Sequence, residues 1–179
     1  MLYAAHGSNL HPVRLSIRLP GSRFLGTGVV AGRKLRFHKR SVDHSGKCNI
    51  VEGDDRIYVS VYELSEEEKM KLDAIEGVGS GYSVETIDVP GFSECLTYVA
   101  AATHIDEALR PYSWYKELVL AGCEALGFPE GYVTMIRNIG AIDDPDEQRH
   151  ATNMGIVEKL RLSVNGASII NGKQSWSGK

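Results

Sequence analysis

The sequence predicts an α+β fold, a largely antiparallel or mixed sheet with helices packed on it. Two observations predict it. Segments with strand-like patterning fill much of the first hundred residues, and most lie too close together for helical crossovers. Segments with helical spacing and recognisable caps or stops stand among and after them. At 179 residues the chain is one domain, or one domain with an appendage, and can bury a core of its own.

Residues 2–6 read as a buried strand, running into the polar turn His6-Gly7-Ser8-Asn9-Leu10. A short helix within "SNLHPVRLSIRLPG" ends at Pro20-Gly21. "SRFLGTGVVAGRKLRFHKR" reads as two strands, the second alternating Leu35 and Phe37 with Arg36 and His38. "GKCNIVEGDDRIYVSVYEL" reads as a short strand, a turn at Gly53-Asp54-Asp55, and a longer strand. In that longer strand Ile57, Val59 and Val61 share one face, opposite Tyr58, Ser60 and Tyr62.

"SEEEKMKLDAIEG" opens with a capping box, Ser65 with Glu68, and its early acids suit the helix dipole. Gly77 stops this helix and leaves Glu76 in the last turn. "YSVETIDV" and "CLTYVAAAT" are two further strands. "YSWYKELVLAGCEALGFP" is a helix with the apolar stripe Tyr115, Leu118, Val119, Gly122 and Leu126, closed by Gly127 and Pro129. The texture then changes. "DDPDEQRHATNMGIVEKL" has Asp144 as N-cap, Pro145 at N1 and Glu147 at N3, with Ala151, Met154, Val157 and Leu160 on one stripe. This helix packs on the domain or on another subunit, the second case giving a homodimer. "SVNGASIINGKQSWSGK" holds a small hairpin around Asn165-Gly166 or is a loose tail. The division expected is a domain over 1–138 and a C-terminal extension over 139–179, with its helix at about 145–160.

Composition narrows the function. A net charge of −3 and a pI near 6.1 argue against a protein built mainly to hold nucleic acid. The basic run "RKLRFHKR" reads instead as the wet face of a strand. No run reaches the roughly 20 apolar residues of a membrane span, and no secretory signal is recognisable. Cys48, Cys95 and Cys123 are odd in number and widely spaced, so no disulfide framework or CxxC site is indicated. A cytoplasmic location is the expectation. The six histidines lack HxxxH or HxH spacing, and no metal site is expected.

Two places carry chemistry. The turn from His6 to Leu10 exposes consecutive backbone N–H groups suited to a carboxylate or oxyanion; alternatively, Ser8 or Asn9 simply caps the following helix. A sharper rival makes Ser8 a nucleophile with His6 as base, since residues i and i+2 of a strand share a face, although G-x-S-x-G is missing. Glu76 is the second place. It sits at a helix C-terminus, where the dipole disfavours an anion, beside the Gly-rich "EGVGSGY", which suits a carboxylate of raised pKa. A surface glutamate is the plainer reading. Tyr82, Tyr98 and Tyr115 are candidates for a pocket wall or for ordinary packing.

In combination these segments resemble the gamma-glutamylcyclotransferase-like superfamily. The resemblance rests on His6-Gly7-Ser8-Asn9-Leu10, where the family commonly has Tyr in place of His6, and on "SGKCNIV", similar to a segment of its bacterial members. The Tyr62-to-Ser65 junction and the Leu72-to-Gly77 helix end follow in the same order, over about residues 2–137. The resemblance implies a small mixed β-barrel flanked by helices and an enzyme without cofactor. It also implies release of a γ-glutamyl group as 5-oxoproline by attack of its own α-amine. Residue by residue, it implies that Glu76 is the acid/base. His6, Gly7, Ser8, Asn9 and Leu10 would then hold the glutamyl moiety, with Tyr82 and Tyr115 completing the pocket. The expected partner is a small γ-glutamyl compound, with no nucleic acid and no membrane. Two rivals stand beside it: a non-catalytic relative that binds an acidic metabolite or a protein partner, and a nucleic-acid module resting on "RKLRFHKR" alone.

Overall fold

In the computed structural model, which describes residues 1–167, five strands form one mixed sheet in the order β2-β3-β1-β5-β4. The elements are β1 (Leu2–Ala5), α1 (Pro12–Arg18), β2 (Arg23–Arg40), β3 (Gly46–Glu63), α2 (Glu66–Glu76), β4 (Tyr82–Val89), β5 (Ser93–Ala100), α3 (Ser113–Ala125), α4 (Glu130–Arg137) and α5 (Glu147–Ala167). Only β1 and β5 pair in parallel, at Tyr3 and Leu96; the other ladders are antiparallel. The α+β class and the mixed sheet hold.

The barrel does not. β2 and β4 are the two edges, and no ladder joins them. They approach through side chains instead: Val89 Cγ1 lies 2.3 Å from where a Cβ on Gly28 would stand, and Phe92 lies over Gly26. A valine side chain stands between the two edges where a ladder would have to form. The sheet curls without closing.

β2 and β3 are each one strand of 18 residues where two were expected. The expected turn at Gly53-Asp54-Asp55 is a bulge. Arg33 pairs with Glu52 and Ala31 with Arg56, so Gly32 alone faces those three residues. Gly32 takes φ +75°, which lets the strand bend and continue. A second register shift, between Arg36 and Lys39, breaks the expected alternation of "RKLRFHKR". Leu35 and Phe37 are buried as read, but His38 and Lys39 are buried with them. Much of the remaining charge is matched by acids, Lys34 with Asp54 and Arg40 with Asp106, while His38 Nδ1 hydrogen-bonds Glu107 Oε1 at 2.7 Å.

The sheet is apolar on both faces. Leu15 and Leu19 from and beside α1, and Leu72 of α2, pack on Tyr3, Ala5, Tyr62 and Tyr98. On the other face Leu118 and Val119 of α3, Ile136 of α4, and Val157 and Leu160 of α5 pack on Ala4, Ile57, Val59 and Val61. β3 is therefore buried on both sides, so the opposition of Val59 to Ser60 separates two cores rather than core from water. α4 escaped the sequence reading, although Tyr132, Val133 and Ile136 follow Pro129 at helical spacing.

α5 begins two residues later than expected from its acids. Asp146 Oδ1 accepts from the Arg149 N–H, as an N-cap does, whereas the buried Asp144 accepts from Trp114 Nε1 and Arg149. Asp144 thereby ties α3 to α5. The helix runs on through Asn165-Gly166, the expected hairpin turn. The rest of that hairpin or tail, 168–179, lies outside the described residues. No helix among the described residues is long and apolar enough to cross a membrane.

Candidate functional site

β1 is four residues long and central, so the chain leaves the sheet between two longer neighbours. Past its end the Asn49 side chain of β3 spans to β5, its Oδ1 accepting from the Ala100 N–H at 2.8 Å. The space between is a recess of about 30 Å³ walled by the His6-to-Asn9 turn, Glu76, Tyr82 and Tyr115 together with Tyr3, Cys48 and Tyr98.

The turn is a tight one, with the Leu10 N–H donating to Gly7 C=O at 3.0 Å. Tyr62 fixes it from the sheet, its hydroxyl donating to Leu10 C=O at 2.8 Å. Leu10 itself is fully buried and anchors the turn in the core rather than facing the recess. Neither Ser8 nor Asn9 caps α1. His11 does, its Nδ1 accepting from the Val13 N–H. Among the described residues the N–H groups of Gly7, Ser8 and Asn9 have no hydrogen-bond partner. Three consecutive donors are left over on a segment that walls a cavity.

Asn9 organises the polar side of the recess. Its Nδ2 donates to Glu76 Oε1 at 2.9 Å and lies 3.3 Å from the Tyr3 hydroxyl, while its Oδ1 accepts from Arg18 at 2.9 Å. Arg18 stands 3.7 Å from Glu76. Glu76 arrives from the opposite direction, as the last residue of α2. The capping box at Ser65 and Glu68 starts that helix, and Gly77, at φ +69°, ends it. A left-handed residue there costs glycine little and any Cβ-bearing residue more. With 19% of its side chain exposed, the Glu76 carboxyl is pushed up from its ordinary pKa by burial. Arg18, the Asn9 hydrogen bond, Lys39 and Arg14 pull the other way and do not overcome it.

Two tyrosines brace Cys48 from its two sides. Tyr82 donates its hydroxyl hydrogen to Cys48 C=O at 2.6 Å, and the Cys48 N–H donates to the Tyr115 oxygen at 3.1 Å. Burial pushes the Cys48 thiol up to about 12, so it stays protonated near neutrality. Gly7 has no room for a side chain: a Cβ there would stand 3.0 Å from Cys48 Cβ and 3.4 Å from the Tyr115 oxygen.

His6 is turned away from Ser8. Its Nδ1 meets Thr97 Oγ1 at 3.2 Å, and that hydroxyl is already committed to Ala4 C=O, so His6 acts as the donor. Burial drives its pKa down to about 4, which keeps the ring neutral. The Ser8–His6 dyad has no hydrogen bond to support it. Tyr3, Cys48 and Arg18 were not identified as site residues from sequence. They reach the site through strand pairing and helix packing, which leave no local motif.

A second cavity of about 250 Å³ adjoins the first, sharing Ser8, Glu76, Tyr82 and Tyr115 as walls. Its other side carries Arg14, Arg18, Lys39 and Lys47, and Asn153 from α5. Glu76 therefore stands at the seam of a small recess and a larger basic one.

Comparison with known proteins agrees with this architecture. The AIG2-like family model matches residues 56–136. The chain is 27% identical to a Bos taurus gamma-glutamylcyclotransferase over 147 residues, covering 77% of this chain and 78% of that one. Among solved structures, a gamma-glutamyl cyclotransferase superposes with a TM-score of 0.76 at 25% identity, over 89% of this chain and 98% of the other. An uncharacterized Homo sapiens protein does so at 0.74 and 26%, over 88% and 97%. YkqA from Bacillus subtilis, 20% identical with a TM-score of 0.67 over 79% of this chain and 56% of its own, shares the fold. In sequence and fold the chain is similar to the AIG2-like family and to gamma-glutamylcyclotransferases.

Proposed function

We propose that this protein is a γ-glutamyl cyclotransferase, releasing 5-oxoproline from a small γ-glutamyl compound, with Glu76 as the proton shuttle. Homology supports a reaction of this type in general. The observation that carries the specific reading is the Glu76 carboxyl. It is largely covered, raised in pKa, tied to the turn through Asn9 and shared by two adjoining cavities.

In the proposed reaction the substrate's α-ammonium gives a proton to Glu76, and the freed amine attacks the γ-carbonyl carbon. A five-membered ring closes, its nitrogen gives up a second proton, the γ-amide bond breaks, and both protons leave on the departing amine, delivered by way of Glu76. An ordinary glutamate is a feeble base for an ammonium, and burial improves it. The nucleophile belongs to the substrate, so Ser8 needs only to donate hydrogen bonds, and no cofactor takes part in any step. The unpartnered N–H groups of Gly7, Ser8 and Asn9 suit the glutamyl carboxylate or the oxyanion formed on attack. Folding the substrate into a reactive pose supplies much of the remaining rate.

Glu76→Gln is expected to keep the fold and to lower 5-oxoproline release, followed by mass spectrometry over a panel of γ-glutamyl compounds, by about a hundredfold or more. Near wild-type release from the folded variant would remove Glu76 from the chemistry. Tight binding of an acidic metabolite without turnover of any γ-glutamyl compound would favour a binding protein instead.

A further inference from the structure

We infer that Asn49, its amide turned by His38, is a positioning residue that sets the places of Tyr82 and Tyr115; the inference rests on the cyclotransferase reading. Past the end of β1, Asn49 joins β3 to β5. Ala100 lies opposite Tyr82 in the β4–β5 ladder, and its N–H donates to Asn49 Oδ1 at 2.8 Å. The Tyr82 hydroxyl returns to β3 one residue away, donating to Cys48 C=O at 2.6 Å. Tyr82 is thus tied to consecutive residues of β3 at both ends, through its strand partner and through its ring. The Cys48 N–H also donates to the Tyr115 oxygen at 3.1 Å. Two adjacent residues therefore place two walls of the recess that holds Glu76. Asn49 itself lines neither cavity beside Glu76, so it acts through the tyrosines and not on the substrate.

The Asn49 amide can do this in one orientation only. A backbone N–H donates and cannot accept, so the atom that meets Ala100 is Oδ1, and Nδ2 is turned to His38 Nε2 at 3.0 Å. An amide nitrogen donates in its turn, so Nε2 is the bare nitrogen of the ring. The ring proton is then on Nδ1, 2.7 Å from Glu107 Oε1, which accepts it. Every donor from Ala100 to Glu107 meets an acceptor. Asn49 and His38 are only 1% and 4% exposed, so a bond lost here is not replaced by water. A proton on Nε2 would face the Asn49 amino group. Turning the amide over would set that group against the Ala100 N–H instead. The network admits one arrangement, and with it one spacing of β3 from β5.

The test compares Asn49→Leu and Asn49→Asp in the intact protein, with the best substrate of the γ-glutamyl panel. Leucine has nearly the shape of asparagine without its bonds, whereas aspartate keeps an acceptor for Ala100. In Asn49→Leu, with folding checked by thermal melting, kcat should fall by about tenfold or more while KM changes less, since displaced walls spoil the reactive pose. Asn49→Asp should keep most of kcat. Its second oxygen draws a proton onto His38 Nε2, and the imidazolium balances the added charge. Nitrogen NMR of the His38 ring should show a bare Nε2 in the unaltered protein and a protonated one in Asn49→Asp. A proton on Nε2 in the unaltered protein overturns the inference, even where Asn49→Leu fails to fold. Unchanged kcat in folded Asn49→Leu overturns it too and leaves cyclisation standing. A loss as large in Asn49→Asp as in Asn49→Leu overturns the role given to the Ala100 bond. Cyclisation of no compound by the unaltered protein overturns the cyclotransferase reading, and this inference with it.

Discussion

Glu76 stands between burial, which raises its pKa, and cations that lower it, of which Arg18 is the strongest. A base works deprotonated, so kcat/KM should fall as pH drops through a midpoint above the ordinary glutamate range. Replacing Arg18 by Gln removes the largest opposing influence, so the folded-state pKa climbs further and the acid limb moves to higher pH. A pH profile of kcat/KM reads this directly, and an unmoved limb would separate Arg18 from the tuning of Glu76. Gly7 makes a steric counterpart. Gly7→Val drives a branched side chain into Cys48 and Tyr115, and should abolish binding of 5-oxoproline or glutamate measured by calorimetry. Unchanged affinity would put the ligand elsewhere. The turn and Glu76 could be picked out in the sequence because each is a local signal, a run of turn-formers and an acid at a helix stop. The reason for Gly7 could not. Its φ is not left-handed, and what excludes a side chain is a cysteine 41 positions away that only strand β3 brings near.

Helix α3 presses on the site from behind. A Cβ on Gly122 would stand 2.6 Å from Leu10 Cβ and 3.1 Å from the His11 backbone nitrogen. Alanine gains about 1 kcal/mol in helix propensity over glycine, but overpacking against a backbone costs about 1–3 kcal/mol. Gly122→Ala should therefore be neutral to about 2 kcal/mol destabilising in denaturant melts. KM should rise, because the turn must shift to make room. A stabilised variant with unchanged KM would show that the turn tolerates the displacement. Elements with local grammar could be read from sequence: the Ser65 capping box and the Gly77 stop stand as written. Strand continuity could not. Gly53-Asp54-Asp55 has the composition of a turn, and only the pairing of β3 with β2 converts it into a bulge. Barrel closure failed for a related reason, since it depends on how Val89 meets Gly28, two residues with no sequence relation.

Across the whole molecule, the extension after residue 138 is built into the domain. Val157 is fully covered and Leu160 nearly so in the same core as α3, and Asn153 reaches the wall of the basic cavity. We propose that the domain does not stand without it. Ending the chain after residue 146 uncovers those two side chains and the helix face beneath them, a loss of roughly 1.5–3 kcal/mol for each large apolar side chain. The shortened protein should melt well below the intact one by circular dichroism, or aggregate. An unchanged melting temperature would make the extension an appendage after all. Its apolar stripe was visible in the sequence; whether this domain or another subunit covers it is not a property of the stripe.

The place of β1 in the sheet has a kinetic side. The strand that leads into the site is the central one, yet its partners lie at residues 60–63 and at Leu96. Neither ladder is available until long loops have closed, so the closure entropy falls before the pairing is gained. The β2–β3 hairpin can zip from its own turn, whereas β1 must wait for β3 and then for β5. The turn that presents its N–H groups is thus among the last parts of the chain to acquire its shape. An assay for ligand binding during refolding would report the end of folding rather than its beginning.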